Sequence, residues 1–216
     1  MNWFEVDKKG LGRQARERGL GRLICELVRN SLDEDGVTRV DVKLEPAPGR
    51  PAAVLSVEAD SPTGFRDLKE AWTMFAASYK RDDPSKAGQF NIGEKHALAV
   101  CEWAEIRSTE GGVRFDDDGR HSLRTKRERG TLITCEMRMT RDEQAEIVKT
   151  LNRVVAPANV EVIVNGERLP ARLPVLAFDA CLPTRLLKDG EMVTTYRSAT
   201  VELFEPESTE VATVFE

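Results

Sequence analysis

Three polar residues on one predicted helix are where chemistry could begin. The segment ICELVRNSLDEDGVTRVDVKL, residues 24–44, carries Glu26, Asn30 and Asp33 among the apolar Leu23, Leu27 and Leu32. A helix advances about 100° per residue, so positions four and seven apart share a stripe. On that stripe a carboxylate can take a proton, an amide oxygen can hold a hard cation, and a second carboxylate can accept hydrogen bonds. The same stripe could equally be the solvated face of an amphipathic helix.

Three further stretches keep it company. VEADSPTGF ends a predicted strand at Asp60 and brings Gly64 four residues later. AGQFNIGEKHAL sets Gly88 and Gly93 at a helix entrance, where unpaired N–H groups and the helix dipole attract anions. RERGTLITCEM opens a strand with Gly130 and Thr131.

In order and spacing these stretches resemble the GHKL ATPase superfamily: gyrase-type topoisomerases, large heat-shock chaperones, MutL mismatch-repair proteins and histidine kinases, which share the Bergerat nucleotide-binding fold. ELVRNSLDEDGVTRVDV looks most like the MutL version of the first motif, E-x-x-x-N-x-x-D followed by a strand. The likeness covers roughly residues 10 to 170. It implies that Glu26 is the general base that orients and deprotonates the attacking water. It implies that Asn30 is the Mg²⁺ ligand, and that Asp33 lines the pocket near the ribose and base. Asp60 matches the aspartate that accepts a hydrogen bond from the adenine amino group, and Gly64 lets the chain pass close to the base. Gly88, Gln89, Phe90, Asn91, Ile92 and Gly93 match the lid whose amides cradle the phosphates. Lys80 and Lys95 are candidates for phosphate contacts, and Thr131 matches the hydroxyl that supports the adenine-binding aspartate.

The chain departs from the family pattern at two places. Pro62 stands where D-x-G-x-G has its first glycine, fixing φ and removing a donor. Asn91 replaces the middle glycine of G-x-x-G-x-G, a milder change because asparagine tolerates positive φ. No lysine of a following transducer domain is identifiable, so the resemblance implies slow hydrolysis.

Competing motifs fare worse. GQFNIGEK nearly spells a P-loop, but Glu94 holds the lysine position, His96 follows Lys95 in place of Ser or Thr, and no strongly apolar strand runs into it. His96 and His121 have no partner set for a triad or a metal. The histidine-kinase branch fits poorly, because no phosphoacceptor-histidine helix pair is visible. The basic run Arg120, Arg124, Lys126, Arg127 and Arg129 could touch a phosphate backbone or be the exposed side of a hairpin. Arg13, Arg16, Arg18 and Arg22 leave the same two options open.

These residues need elements to position them. The chain has 216 residues, 40% hydrophobic and 32% charged, enough to bury a core. A net charge of −5 argues against wholesale nucleic-acid or membrane binding. Cys25, Cys101, Cys135 and Cys181 lack metal-ligand spacing and suit free thiols in a reducing compartment. With no signal-peptide pattern or membrane-length apolar run, an intracellular, cytoplasmic protein is expected.

Residues 11–34 predict a helix split by Gly19 and Gly21. VTRVDVKL and AAVLSVEA alternate as strands about an EPAPGRP turn. FRDLKEAWTMFAAS looks helical, SYKRDDPSKAGQFN is a long polar loop, and IGEKHALAVC is a helix. WAEIRS, GVRFD, HSLRTK, TLITCEMRM and VEVIVNGERLP are strand candidates, and RDEQAEIVKTLNRVV is a helix. The expected fold is α+β: a two-layer α/β sandwich with a mixed, mostly antiparallel sheet and helices on one face. Residues 1–170 would form the ATP-binding domain, and 171–216 a small β-rich extension or the start of a second domain. The expected function is Mg²⁺-dependent ATP hydrolysis, with lid closure over residues 78–93 driving homodimerisation and a possible role with DNA. The alternative is a non-hydrolysing nucleotide-binding or interaction module.

Overall fold

The computed structural model describes residues 6–65, 67–74, 92–157, 159–188 and 191–205. The chain divides into two compact units, Met1–Pro170 and Ala171–Glu216.

In the first unit, α1 (Lys8–Arg16) starts at Asp7, whose carboxylate accepts the N–H groups of Lys9 at 3.2 Å and Gly10 at 2.8 Å. Gly19, at φ +85°, turns the chain into α2 (Leu20–Leu32). That positive φ is costly for residues with a Cβ, so the glycine splits what would otherwise be one helix. α3 (Gly93–Ala99) follows the long polar segment, and α4 (Arg141–Leu151) opens with a reciprocal capping box between Thr140 and Glu143.

The strands are β1 (Arg39–Pro46), β2 (Ala52–Ala59), β3 (Cys101–Ser108), β4 (Gly111–Asp116), β5 (Gly119–Leu123), β6 (Thr131–Arg138), β7 (Glu161–Val164) and β8 (Glu167–Arg168). They form one sheet in the order β5-β4-β3-β6-β2-β1-β7-β8. Every neighbouring pair is antiparallel except β1 with β7. Period two decides which face is covered. On β2, Ala53, Leu55, Val57 and Ala59 are fully buried, and with Val40 and Val42 of β1 they share a core with Leu23, Ile24, Leu27 and Val28 of α2. The α+β architecture with a mixed eight-stranded sheet and a helix layer is as the sequence led us to expect.

The helical pattern of FRDLKEAWTMFAAS does not survive over its described residues. Only a 3₁₀ turn, Leu68–Ala71, forms there, capped by Asp67. Trp72 leaves helical geometry at φ −128°. Its ring packs edge-on against Phe115 at 6.3 Å, and the Arg120 guanidinium lies 4.4 Å from its centroid. A tertiary contact therefore overrides the local propensity. All four cysteines are free thiols, Cys101 and Cys135 buried in the core. Among the described residues no helix is long and apolar enough to cross a membrane.

The second unit contains a hairpin of β9 (Leu176–Lys188) and β10 (Glu191–Leu203), paired antiparallel from Glu191↔Lys188 to Leu203↔Leu176.

Candidate functional site

α2 presents its apolar stripe to the sheet, so the residues on its flank come to the edge of the core. Glu26, Asn30 and Asp33 lie on that flank, and each is half-buried rather than projected into bulk water. Glu26 is packed against the start of α3: a Cβ placed on Gly93 would stand 3.0 Å from Glu26 Oε2. Gly93 is therefore a place where only a bare backbone approaches the carboxylate without crowding. The side chains of Glu26 and Asn30 form no hydrogen bond or ion pair among the described residues. Asp33 caps the carboxyl end of α2.

Two residues beyond Gly93, Lys95 is only 5% exposed and pairs with the equally buried Glu94 at 3.5 Å. It is thus a core-edge ion pair and not a solvated lysine. His96 is also buried, with Nδ1 3.4 Å from Arg18 Nη1. Burial and the Arg18 charge depress its pKa against the pull of Glu26.

The second candidate stretch begins where β2 ends. Asp60 follows Ala59 directly after the strand. There the carboxylate accepts hydrogen bonds from Thr38 N–H at 2.8 Å, Thr38 Oγ1 at 2.6 Å and Arg39 N–H at 2.8 Å. Burial would raise its pKa, but these bonds and the Arg129 charge outweigh it and hold the pKa below the ordinary value. These bonds tie the residue after β2 to the start of β1.

Ala59, buried in the core that α2 shares, is paired across the sheet with Thr131. The Thr131 hydroxyl is buried and has no hydrogen-bond partner among the described residues. Gly64, at φ +62°, crosses so closely that a Cβ there would meet Ser108 Oγ at 2.7 Å and Thr131 Oγ1 at 2.9 Å. Gly64 and Thr131 are thus brought together. Ser61, fully buried, donates to the Glu34 carboxylate and accepts from Gly64 N–H at 3.1 Å. Pro62 is exposed and packs over Gly36, whose Cβ, if present, would lie 3.1 Å from Pro62 Cδ. Ser61, Glu34 and Ser108 were not legible as site residues, because nothing in their local sequence shows that three separate turns converge.

Lys80, Gly88, Gln89, Phe90 and Asn91 lie outside the described residues, while Ile92 precedes α3 as its N-cap. Much of the basic run is engaged within the chain: Arg127 pairs with Glu58, Arg129 binds the Asp60 carbonyl at 2.5 Å, and Lys126 lies 3.8 Å from Glu110. On the first helix, Arg16 donates to the Arg138 carbonyl at 2.7 Å.

Chemically, the flank of α2 offers one carboxylate and, one turn on, one neutral amide oxygen. Among the described residues no cluster of three or more His, Cys, Asp or Glu side chains could hold a metal. A single amide donor suits a cation that takes most of its ligands from phosphates and water, as Mg²⁺ does.

No protein-family model matches the sequence, and no curated protein matches it. Similarity emerges at the level of structure. The ATPase region of Saccharomyces cerevisiae topoisomerase II superposes with a TM-score of 0.53 at 13% sequence identity, covering 71% of this chain and 50% of that one. The same region bound to ICRF-187 (dexrazoxane) gives the same values. The chain spans about half the length of those structures. What it shares with those ATPase regions is the fold.

Proposed function

We propose that this chain is an ATP-binding module of GHKL type that hydrolyses ATP slowly with Mg²⁺. One observation carries the proposal most strongly: the half-buried Glu26 carboxylate lies against Gly93 at the start of α3, with the Asn30 amide one turn along the same helix. The shared fold with the yeast topoisomerase II ATPase region supports it.

On this proposal the triphosphate lies along the flank of α2 beside α3, and the base lies toward Gly64 and Thr131. Glu26 accepts the proton of the attacking water and orients it, a role suited to a carboxylate without competing hydrogen bonds. Asn30 Oδ1 would hold Mg²⁺, which supplies charge neutralisation at the phosphates. Asp33 flanks the sugar. The segment that includes Lys80 and Gly88 to Asn91 would close over the phosphates, and closure would favour pairing of two copies. The coupled process on this proposal is a DNA transaction inside the cell, and membership of the MutL-like branch belongs to the same proposal.

A second reading, a module that binds nucleotide without turnover, is supported by Pro62 standing where D-x-G-x-G has its first glycine. Steady-state phosphate release by the wild type and by Glu26→Ala separates the two. Measurable release that disappears in the variant, with the ATP-induced rise in melting temperature retained, supports hydrolysis. Equal inactivity of both proteins, with that rise intact, supports the non-hydrolysing module. Asn30→Ala should abolish the Mg²⁺-dependent part of binding.

A further inference from the structure

We propose that the outer face of α1, continued by Arg22 at the start of α2, docks the phosphate backbone of a duplex nucleic acid without reading its sequence. The proposal bears on the DNA transaction suggested above and needs neither nucleotide binding nor turnover. Residues 7–22 carry six cations, Lys8, Lys9, Arg13, Arg16, Arg18 and Arg22, against the acids Asp7 and Glu17, in a chain of net charge −5. A chain that is acidic overall and basic over one short stretch concentrates its attraction for anions there.

Packing fixes which way that stretch faces. Gly12 and Ala15 are buried, and Gly12 lies so close to the end of α3 that a Cβ would stand 2.6 Å from the Ala99 carbonyl oxygen. Lys9, Arg13 and Arg16, four and seven residues along the helix, share an exposed stripe outside that contact. Half of the six cations are engaged: Lys8 donates to the Cys101 carbonyl at 2.8 Å, Arg16 to the Arg138 carbonyl at 2.7 Å, and Arg18 lies against His96. The side chains of Lys9, Arg13 and Arg22 are exposed and form no hydrogen bond or ion pair among the described residues. The second basic run is different: Lys126, Arg127 and Arg129 pair with Glu110, Glu58 and Asp60, and Arg120 lies over Trp72. Between residues 7 and 22 no large apolar side chain is exposed. A membrane-surface helix buries an apolar face, and a protein interface centres on apolar or aromatic anchors, so neither partner suits this surface. A phosphate backbone is held by charge alone. From Lys9 to Arg16 the stripe runs about 10.5 Å, at ~1.5 Å per residue, which matches about three phosphates at ~3.4 Å of rise along one strand.

Fluorescence anisotropy of the full chain with two DNA duplexes of unrelated sequence, each of roughly 20 base pairs and at about 50 to 200 mM salt, tests this. The two dissociation constants should agree within about threefold, and log K should fall against log salt with a slope of about −2.7 or steeper, −0.9 for each of three phosphates. Lys9→Gln, Arg13→Gln and Arg22→Gln together should flatten that slope by about 2.7 and weaken binding at least about tenfold near 50 mM salt. Arg13→Gln alone should flatten it by about one, which keeps the test decisive if the triple variant unfolds. The same charge change at the exposed Lys43, Lys69 and Arg124 should leave binding within about twofold, since screened charges off the contact contribute little. Binding of both duplexes weaker than about 1 mM near 50 mM salt, equal weakening by the two triple variants, or an unchanged slope in the first overturns the inference. So does a preference above about tenfold for one sequence, or binding to phosphatidylserine vesicles that the first variant abolishes while duplex binding persists. The ATP-induced rise in melting temperature is read separately, so this inference and the ATP-binding proposal fail independently.

Discussion

Two carboxylates at opposite ends of the same candidate site have opposite circumstances. Asp60 receives three hydrogen bonds from Thr38 and Arg39. Glu26 lies half-buried against Gly93 with no hydrogen bond among the described residues. Desolvating a carboxylate without satisfying it costs stability, so a fold that does so at one place and avoids it at another separates binding capacity from scaffolding. The difference leaves Glu26 with unused acceptor capacity and Asp60 with its own largely engaged.

The contrast breaks most visibly in activity. Glu26→Gln should lower phosphate release by about 10²- to 10⁴-fold, the range for a positioned general base, and leave thermal stability nearly unchanged. Steady-state phosphate assays paired with melting curves check both halves. A large stability loss there would make Glu26 a scaffold residue.

Gly64→Ala tests the close approach between the two ends. Its φ of +62° and the prospective contact of 2.7 Å with both Ser108 Oγ and the Gly130 carbonyl predict a loss of roughly 2–3 kcal/mol in denaturant unfolding.

Asp60→Asn should do the reverse of Glu26→Gln. Stability falls by about 1–2 kcal/mol, because an amide accepts fewer of the three hydrogen bonds, while turnover persists. The pH dependence sharpens this. The pKa of Asp60 is held down in the folded state, so its contribution is present above the unfolded value of about 3.9 and is lost as pH falls through the folded value. Acid titration of stability should therefore be shallower below about pH 4 in the variant than in the wild type.

The smallest effect belongs to His96. Its folded pKa lies below the ordinary value, so the unfolded chain binds the proton more readily. Stability should decline modestly as pH falls through about 6.5, and His96→Gln should flatten that slope.

Local pattern was enough for much of this molecule. The alternation in AAVLSVEA, the glycine break before Leu20 and the helical run RDEQAEIVKTL each reflect forces acting within a few residues, and the corresponding elements formed. The parallel pairing of β1 with β7 could not be read, since those strands lie over a hundred residues apart and no local signal specifies the pairing. Trp72 shows the same limit: Phe115 and Arg120, distant in sequence, end a pattern that favoured helix. Motif order brought Glu26, Asn30, Gly64 and Thr131 to notice, but spacing alone did not show that Asp60 would accept hydrogen bonds from Thr38 and Arg39, some twenty residues earlier in the chain.

The most direct measurement is a crystal structure with a non-hydrolysable ATP analogue and Mg²⁺. It should show the Asn30 amide oxygen about 2.1 Å from the metal, the Glu26 carboxylate turned to the terminal phosphate, and Asp60 still bound to Thr38. Nucleotide located elsewhere, with Glu26 and Asn30 unchanged beside an empty flank of α2, would contradict it.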